Sequence, residues 1–304
     1  RAIVGGKKSG NAGGFNRATQ ALRQTGSSFK PFVYAAALNE GWRYATEVVD
    51  EKFCMNVSGS GQYCPKNYTK KYEGEMTMTT AMAKSKNTVA VKVAVAVGTD
   101  KVSRIAKGFG IKNKINVGPA MALGTSESTL LEMTGAYAGI LNEGIEVTPY
   151  GVIELTLQGD KTPLIVHSSA LGQRVISQQS AQQLTYMMNQ VVVNGSGRKA
   201  QILGVEIAGK TGTTQGAKDA WFIAFTNDYV VGVWMGYDDN TKLTGVTGGG
   251  LPTDIWRETM ERILGGDIPA TLPMIIPQEQ VVIEGQKIVP LGIYLSLSCY
   301  HLYQ

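Results

Sequence analysis

The stretch GVEIAGKTGTTQ, residues 204–215, constrains this chain more than any other, because it fits two incompatible folds. From Gly204 to Thr211 it matches G-x-x-x-x-G-K-[ST], the loop that cradles phosphates between a strand and a helix. Read as a strand, it lays Lys210, Thr211, Gly212 and Thr213 along a sheet edge. A phosphate loop needs turn formers across its four middle residues and a helix beginning at Lys-Thr, whose N-terminus holds the anion. Here the middle residues are Val205, Glu206, Ile207 and Ala208, which alternate as a strand does. Downstream, two glycines and two β-branched threonines oppose a helix. The strand reading prevails. Its lysine and hydroxyls suit a substrate carboxylate, and Gly212 leaves room for an extended peptide to lie alongside.

Two short patterns gain meaning beside it. S-x-x-K occurs at Ser27–Lys30 and at Ser196–Lys199, and S-x-N at Ser9–Asn11 and at Ser85–Asn87. Context separates the copies. SSFKPFVYAAALNEG reads as a helix, with serines at its start, Pro31 in the first turn and Gly41 as terminator. A spacing of three then puts Ser27 and Lys30 on one face. The helix N-terminus adds positive potential where an oxyanion would form. SGRK lies in a glycine-bracketed loop and SGN in a flexible-looking segment, so Ser196 and Ser9 read as ordinary polar residues without fixed geometry.

Elsewhere, helices precede consecutive strands. RAIVGG reads as a short strand. TMTTAMAKS, DKVSRIAKGFG, STLLEMTGAYAGILNEG and SQQSAQQLTYMMNQVVVNG read as helices, and EVTPYGVIELTLQGDK as a hairpin. GVEIAGKTGTT, DAWFIAFT and YVVGVWMGY follow as three strands, and LPTDIWRETMERILGG as a closing helix. NTVAVKVAVAVG alternates valine with period two, which by pattern alone is a strand. The fold class is α/β (α+β), an antiparallel sheet covered by helices. Residues 267–304 read as a linker or C-terminal tail.

Composition excludes several chemistries. With His167 and His301 as the only histidines, histidine-rich metal sites and a Ser-His-Asp triad have few candidates, so no metal and no cofactor are expected. No G-x-S-x-G elbow occurs. A net charge of +5 suits an anionic polymer, but no basic cluster interleaves with aromatics, and nucleic acid is not an expected partner. No run reaches the roughly 18–20 apolar residues of a membrane span. Cys54 and Cys64 flank the loop VSGSGQY; they either pair in an oxidising space or remain two thiols, and Cys299 is left over.

The order S-x-x-K, S-x-N, K-T-G is shared by penicillin-binding proteins and class A β-lactamases. FNRATQALRQTGSSFKPFVYAAAL, MAKSKNTVAVKVAVAVG, PAMALGTSESTLLEMTGAYAGILNEG and AGKTGTTQGAKDAWFIAFTNDYVVGVWMGY resemble the transpeptidase domain of class A penicillin-binding proteins, across residues 1–266. The resemblance implies a five-stranded-type sheet lacking its first strand, and a helix at NTVAVKVAVAVG. It also implies a glycosyltransferase domain and a membrane anchor ahead of the domain, at the periplasmic face of a bacterial inner membrane. By the same resemblance Ser27 attacks the carbonyl between the terminal D-alanines of a peptidoglycan stem peptide. Lys30 is the base and Ser85 relays a proton to the leaving amine. Asn87 holds the substrate backbone, while Lys210, Thr211, Gly212 and Thr213 receive the terminal carboxylate. The backbone N–H groups of Ser27 and Thr213 form the oxyanion hole. An acceptor amine or water resolves the acyl-enzyme, and β-lactams trap it. A sensing module that acylates without turnover would keep the same motifs.

Two positions depart from the related patterns. The deacylating glutamate of β-lactamases, in E-x-x-L-N, corresponds to Ala138 in AGILN, so a long-lived penicilloyl adduct is expected. The usual proline before GSSFK is Thr25, which is expected to loosen that turn without touching the chemistry. Asp238 and Asp239 read as a turn, Asp219, Trp221 and Phe222 as structural, and Met187 and Met188 as helix core.

Overall fold

The run Ala-Trp-Phe-Ile-Ala-Phe at residues 220–225 is apolar at every position, which a strand tolerates when both its faces are covered. In the computed structural model it is the middle strand of an antiparallel sheet ordered β3-β2-β1, with β1 Ala208–Thr213, β2 Asp219–Phe225 and β3 Val230–Gly236. Period-two alternation splits the run cleanly. Trp221, Ile223 and Phe225 enter the larger core; Phe222 and Ala224 enter a smaller one on the opposite face. The structure describes residues 1–6, 13–57, 59, 61–167, 172–275 and 277.

The larger core is a helical layer. It holds α1 Lys30–Asn39, α2 Met78–Ala83, α3 Asn87–Val97, α4 Thr99–Gly108, α5 Leu130–Leu141 and α6 Gln178–Val193. A 3-10 turn, Gly26–Phe29, leads into α1, with Pro31 in the helix's first turn. From Phe32 to Ala37 every residue of α1 is buried, so this helix has no solvent face and forms the hub of the layer. Thr129 and Glu132 form a reciprocal capping box at the start of α5. Met187 and Met188 of α6 are fully buried, as expected. On the sheet's other face α7, Leu251–Leu264, seats Trp256, Met260 and Leu264 on Phe222 and Ala224. The Trp256 indole donates to the carbonyls of Ala224 (3.3 Å) and Val231 (3.1 Å), joining two strands.

NTVAVKVAVAVG is a helix, as the family resemblance implies and against its valine alternation. Val89, Ala90, Val91, Val93 and Ala94 are all fully buried, so apolar residues are wanted around most of the circumference and no 3.6-residue stripe need appear. Valine's helix propensity is poorer than alanine's by up to about 0.7 kcal/mol. Burying each valine returns about 1.5–3 kcal/mol, and burial wins.

Other expectations are corrected, decided between alternatives or made specific. RAIVGG forms no strand: Ile3 and Val4 are exposed, and the Gly5 carbonyl is tied to Arg17 N (3.0 Å) instead of entering a ladder. Among the described residues the main sheet therefore has three strands, not the five-stranded type, and the remaining strands form two-stranded ribbons. Of the hairpin expected in EVTPYGVIELTLQGDK only Glu154–Leu155 is strand, and it pairs with Ile165–Val166 beyond that segment. Cys54 and Cys64 form a disulfide. Asp238 does more than turn the chain, taking the Arg17 guanidinium on both carboxylate oxygens. Asp219 is buried and paired with Arg23 at 2.7 Å. Past residue 266, Leu272 is buried in the main core, and the compact unit runs to Met274. Of the unit that begins at Ile275, only residues 275 and 277 are described. Ser9–Asn11, Cys299 and His301 lie outside the described residues. No described helix is long and apolar enough to cross a membrane.

Candidate active site

In a 3-10 turn three residues complete one revolution, so Ser27 and Lys30 stand one above the other. Ser27 is partly exposed, whereas the Lys30 side chain is fully buried. The Lys30 ammonium crosses to the S-x-N turn, donating to Ser85 O (2.6 Å), Asn87 Oδ1 (2.7 Å) and Ser85 Oγ (3.2 Å). Among the described residues no hydrogen bond joins it to the Ser27 hydroxyl. Ser85 adopts φ 55°, a left-handed conformation that costs an L-residue about 1–2 kcal/mol. That strain lifts its hydroxyl between two lysines: Lys210 Nζ lies 2.9 Å from the same Oγ. Lys210 is also fully buried and reaches back to Thr211 O at 3.1 Å. Among the described residues no carboxylate is bonded to Lys30, Ser85 or Lys210.

Two ammonium groups around one hydroxyl, without a counter-ion, are costly to keep charged. Burial, with repulsion from Lys210 added, pushes Lys30 well below its ordinary value. Burial brings Lys210 down to about 7. The unfolded chain therefore holds a proton on residue 210 between pH 7 and 10.5 that the fold has released, and stability rises with pH across that window. Lys210→Met is expected to raise the Tm by several degrees at pH 6, where the buried charge is fully present. That gain shrinks as the pH approaches 10.5; thermal melts at several pH values check it.

The β1 strand forms the site's other wall. It is an edge strand, hydrogen-bonded to β2 alone among the described residues. Lys-Thr continues the strand and no helix follows, which disposes of the phosphate-loop reading. Three glycines let backbone meet backbone. A Cβ on Gly212 would sit 2.7 Å from Thr25 O and 3.1 Å from Ser28 N. One on Gly26, where φ is 54°, would sit 2.9 Å from the Thr213 carbonyl. Gly124 in turn packs on Gly26 and accepts its N–H at 3.1 Å. The Ser27 turn and the Thr213 backbone are thus in direct contact. Ser27 N–H lies in the first turn of its helix, where intrahelical acceptors are lacking.

Thr213 faces a loop that precedes α7, whereas Thr211 Oγ1 stays 3.5 Å from Lys210 Nζ. Thr213 Oγ1 accepts Gly248 N–H at 2.9 Å, which leaves the hydroxyl's own proton free to donate. Thr211 Oγ1 meets Ser196 Oγ at 2.7 Å. Ser196, read from sequence as an ordinary loop residue without fixed geometry, is fixed: its N–H donates to Ala83 O at 3.0 Å and its hydroxyl joins the K-T-G strand. No sequence signal marks it, because S-x-x-K occurs twice and the contact spans residues 196 and 211.

Thr25 does not loosen its turn. Its carbonyl accepts both Ser28 N (3.3 Å) and Ser28 Oγ (2.6 Å), and its φ of −80° is within proline's range. Its hydroxyl is buried without a partner. Thr25→Pro removes that orphan and stiffens the unfolded chain, and is expected to stabilise by about 0.4–1 kcal/mol in denaturant titrations. Ala138 lies within α5 and brings no carboxylate.

A family model described as the penicillin binding protein transpeptidase domain matches residues 2–261. Penicillin-binding protein 1A of Neisseria lactamica is 36% identical over 276 residues, covering 88% of this chain and 34% of that protein. The Rickettsia prowazekii protein of the same name is 35% identical over 301 residues, covering 90% and 38%. The chain thus spans about a third of the length of these curated relatives. Among solved structures, penicillin-binding protein 1A from Haemophilus influenzae superposes with a TM-score of 0.77 at 28% identity, over 87% of this chain and 45% of that one. PonA1 from Mycobacterium tuberculosis in complex with penicillin V gives 0.76 at 28% identity, over 86% and 74%.

Proposed function

The chain belongs to the penicillin-binding-protein transpeptidase family, and from that premise we propose that it is a serine acyl-transferase that cross-links peptidoglycan stem peptides. The supporting observation is the Ser85 hydroxyl shared by two buried lysines beside a K-T-G strand packed on the Ser27 turn.

A serine hydroxyl is a weak nucleophile until a base takes its proton. Lys30 in its neutral form has two N–H groups and one lone pair. Its two short bonds, to Ser85 O and Asn87 Oδ1, can use both N–H groups; the longer contact to Ser85 Oγ (3.2 Å) then yields as the lone pair takes the Ser27 proton. Ser27 Oγ attacks the carbonyl of the penultimate D-alanine. The N–H groups of Ser27 and Thr213 take the oxyanion, and Asn87 holds the peptide backbone. Ser85 passes a proton to the departing D-alanine amine and is resupplied from the lysines on either side. Lys210, with Thr211, Gly212 and Thr213, receives the terminal carboxylate. An acceptor amine then attacks the acyl-enzyme carbonyl, its surplus proton passes to Lys30, and Lys30 returns one to Ser27 Oγ as the ester bond breaks and the cross-link forms. A β-lactam presents the same amide within a ring, so its leaving amine stays attached. With Ala138 in place of a glutamate, that position offers no carboxylate to activate a deacylating water, and the adduct persists. The reaction runs on the periplasmic side of the inner membrane, with an anchor outside this segment.

The test is turnover of a stem pentapeptide ending in D-Ala-D-Ala, with and without an acceptor amine. The expected result is D-alanine release, with cross-linked product when the amine is present. A chain that takes up penicillin yet releases no D-alanine would instead be a sensing module.

A further inference from the structure

We propose that Asp50 and Asn67 are positioning residues of the reaction, holding the S-x-N turn in the register that serves Lys30; the proposal rests on the acyl-transfer reading above. Neither lies in any of the three motifs, and both are buried. Asn67 Oδ1 accepts the N–H groups of Asn87 (2.8 Å) and Thr88 (3.3 Å), the first two of α3. Lys86, the residue that precedes the helix, supplies no side-chain cap, so Asn67 does this from 20 residues away. Asn67 Nδ2 donates to Asp50 Oδ1 at 2.7 Å and to Lys71 O at 3.0 Å, which fixes the amide's orientation.

Asp50 ties the other side of the turn. Its carboxylate accepts the Thr88 hydroxyl, Glu73 N–H (3.0 Å) and the ammonium of Lys86 (2.9 Å). Lys86 sits between Ser85 and Asn87 and is itself buried, held by Asp50 and by Glu73 at 2.7 Å. Ser85, at its left-handed φ, is thus flanked by a residue anchored through its side chain and a helix capped through its backbone. The Asn87 amide is oriented as well: its Nδ2 donates to Lys66 O at 2.9 Å, so its Oδ1 faces Lys30. Asp50, Asn67, the start of α3, Asn87 and Lys30 form one continuous chain of hydrogen bonds. Its far end is the base, so a loss at its near end shifts the geometry of proton transfer.

The experiment measures acylation by a fluorescent penicillin per titrated active site across pH, in wild type, Asn67→Ala and Asp50→Asn. Leu264→Ala, in the small core on the opposite side of the sheet, is the stability control. Asn67→Ala is expected to lose at least about tenfold in per-site rate, since misplacement by about 1 Å alone can cost a hundredfold. Its acylation midpoint moves to lower pH, because displacing Asn87 draws Oδ1, an acceptor that favours the charged form, away from Lys30. Asp50→Asn keeps the shape but withdraws the charge that holds Lys86, and loses severalfold even if Asn67→Ala cannot be recovered folded. Leu264→Ala lowers the Tm and keeps the wild-type per-site rate and midpoint. Either Asn67→Ala or Asp50→Asn, recovered folded with wild-type rate and midpoint, would overturn the proposal. A wild type that takes no label at all would instead overturn the acyl-transfer reading on which it rests.

Discussion

Lys30→Met lowers the rate of penicillin acylation about a thousandfold while the chain stays folded. The size follows from the role proposed for Lys30, since a general base is worth about 10²–10⁴ in rate. The fold survives because methionine fills a similar volume and a buried ammonium, without a carboxylate partner among the described residues, was itself a cost. Against that gain stand the Ser85 carbonyl and the Asn87 amide oxygen, both left without their donor. The pH dependence separates a base from a structural lysine. Lys30 is held well below its ordinary value, first by burial and then by Lys210. In wild type the acylation rate therefore climbs as Lys30 sheds its proton, and levels off well short of 10.5. In Lys30→Met that rising limb disappears. A rate–pH profile for the two proteins, with a Tm for each, reads both effects.

Gly124→Ala is expected to damage fold and activity together. Gly124 has φ 67°, and a Cβ there would lie 2.0 Å from Gly26 O and 2.5 Å from Gly26 N. Both are backbone atoms, so no side chain can swing aside. Left-handed backbone costs an L-residue about 1–2 kcal/mol, and overpacking about 1–3 kcal/mol more. Together these lower the Tm on the order of 10 °C. Gly26 carries the Ser27 turn and touches Thr213, so displacing it also separates the two N–H groups proposed as the oxyanion hole, and acylation is expected to collapse. Gly41→Ala is the control. Gly41 has φ 90° with nothing within 4 Å of a new Cβ, so it bears the backbone cost alone and acylates at the wild-type rate. Thermal melts and penicillin labelling of both variants check the contrast.

What could be read from sequence was what local chemistry dictates. The K-T-G segment declared itself a strand because Val205 to Ala208 alternate and the residues after it oppose a helix. The Ser27 turn declared itself through its serines, Pro31 and Gly41, although the structure tightens its first turn to 3-10. The three strands from Ala208 to Gly236 follow from short polar breaks between apolar runs. Pattern failed at α3, where burial on most sides erases helical periodicity, and only the resemblance to a family supplied the helix. It failed at RAIVGG, whose Gly5 carbonyl bonds the Arg17 N–H rather than a sheet edge, a tertiary choice that apolar composition does not report. Ser196, Asn67 and Asp50 were out of reach for a different reason. Each acts through a side-chain bond across 15 or more residues, and spacing along a chain does not report such bonds.

The central claim is that Ser27, Lys30, Ser85 and Lys210 form one acylating centre. Intact-mass spectrometry of the chain after exposure to penicillin tests it most directly, with peptide mapping of the product and Ser27→Ala in parallel. The account predicts one penicilloyl group per wild-type chain, located on the peptide that carries Ser27, persisting after free drug is removed, and absent from Ser27→Ala. Label on another residue, or equal label in Ser27→Ala, would contradict it.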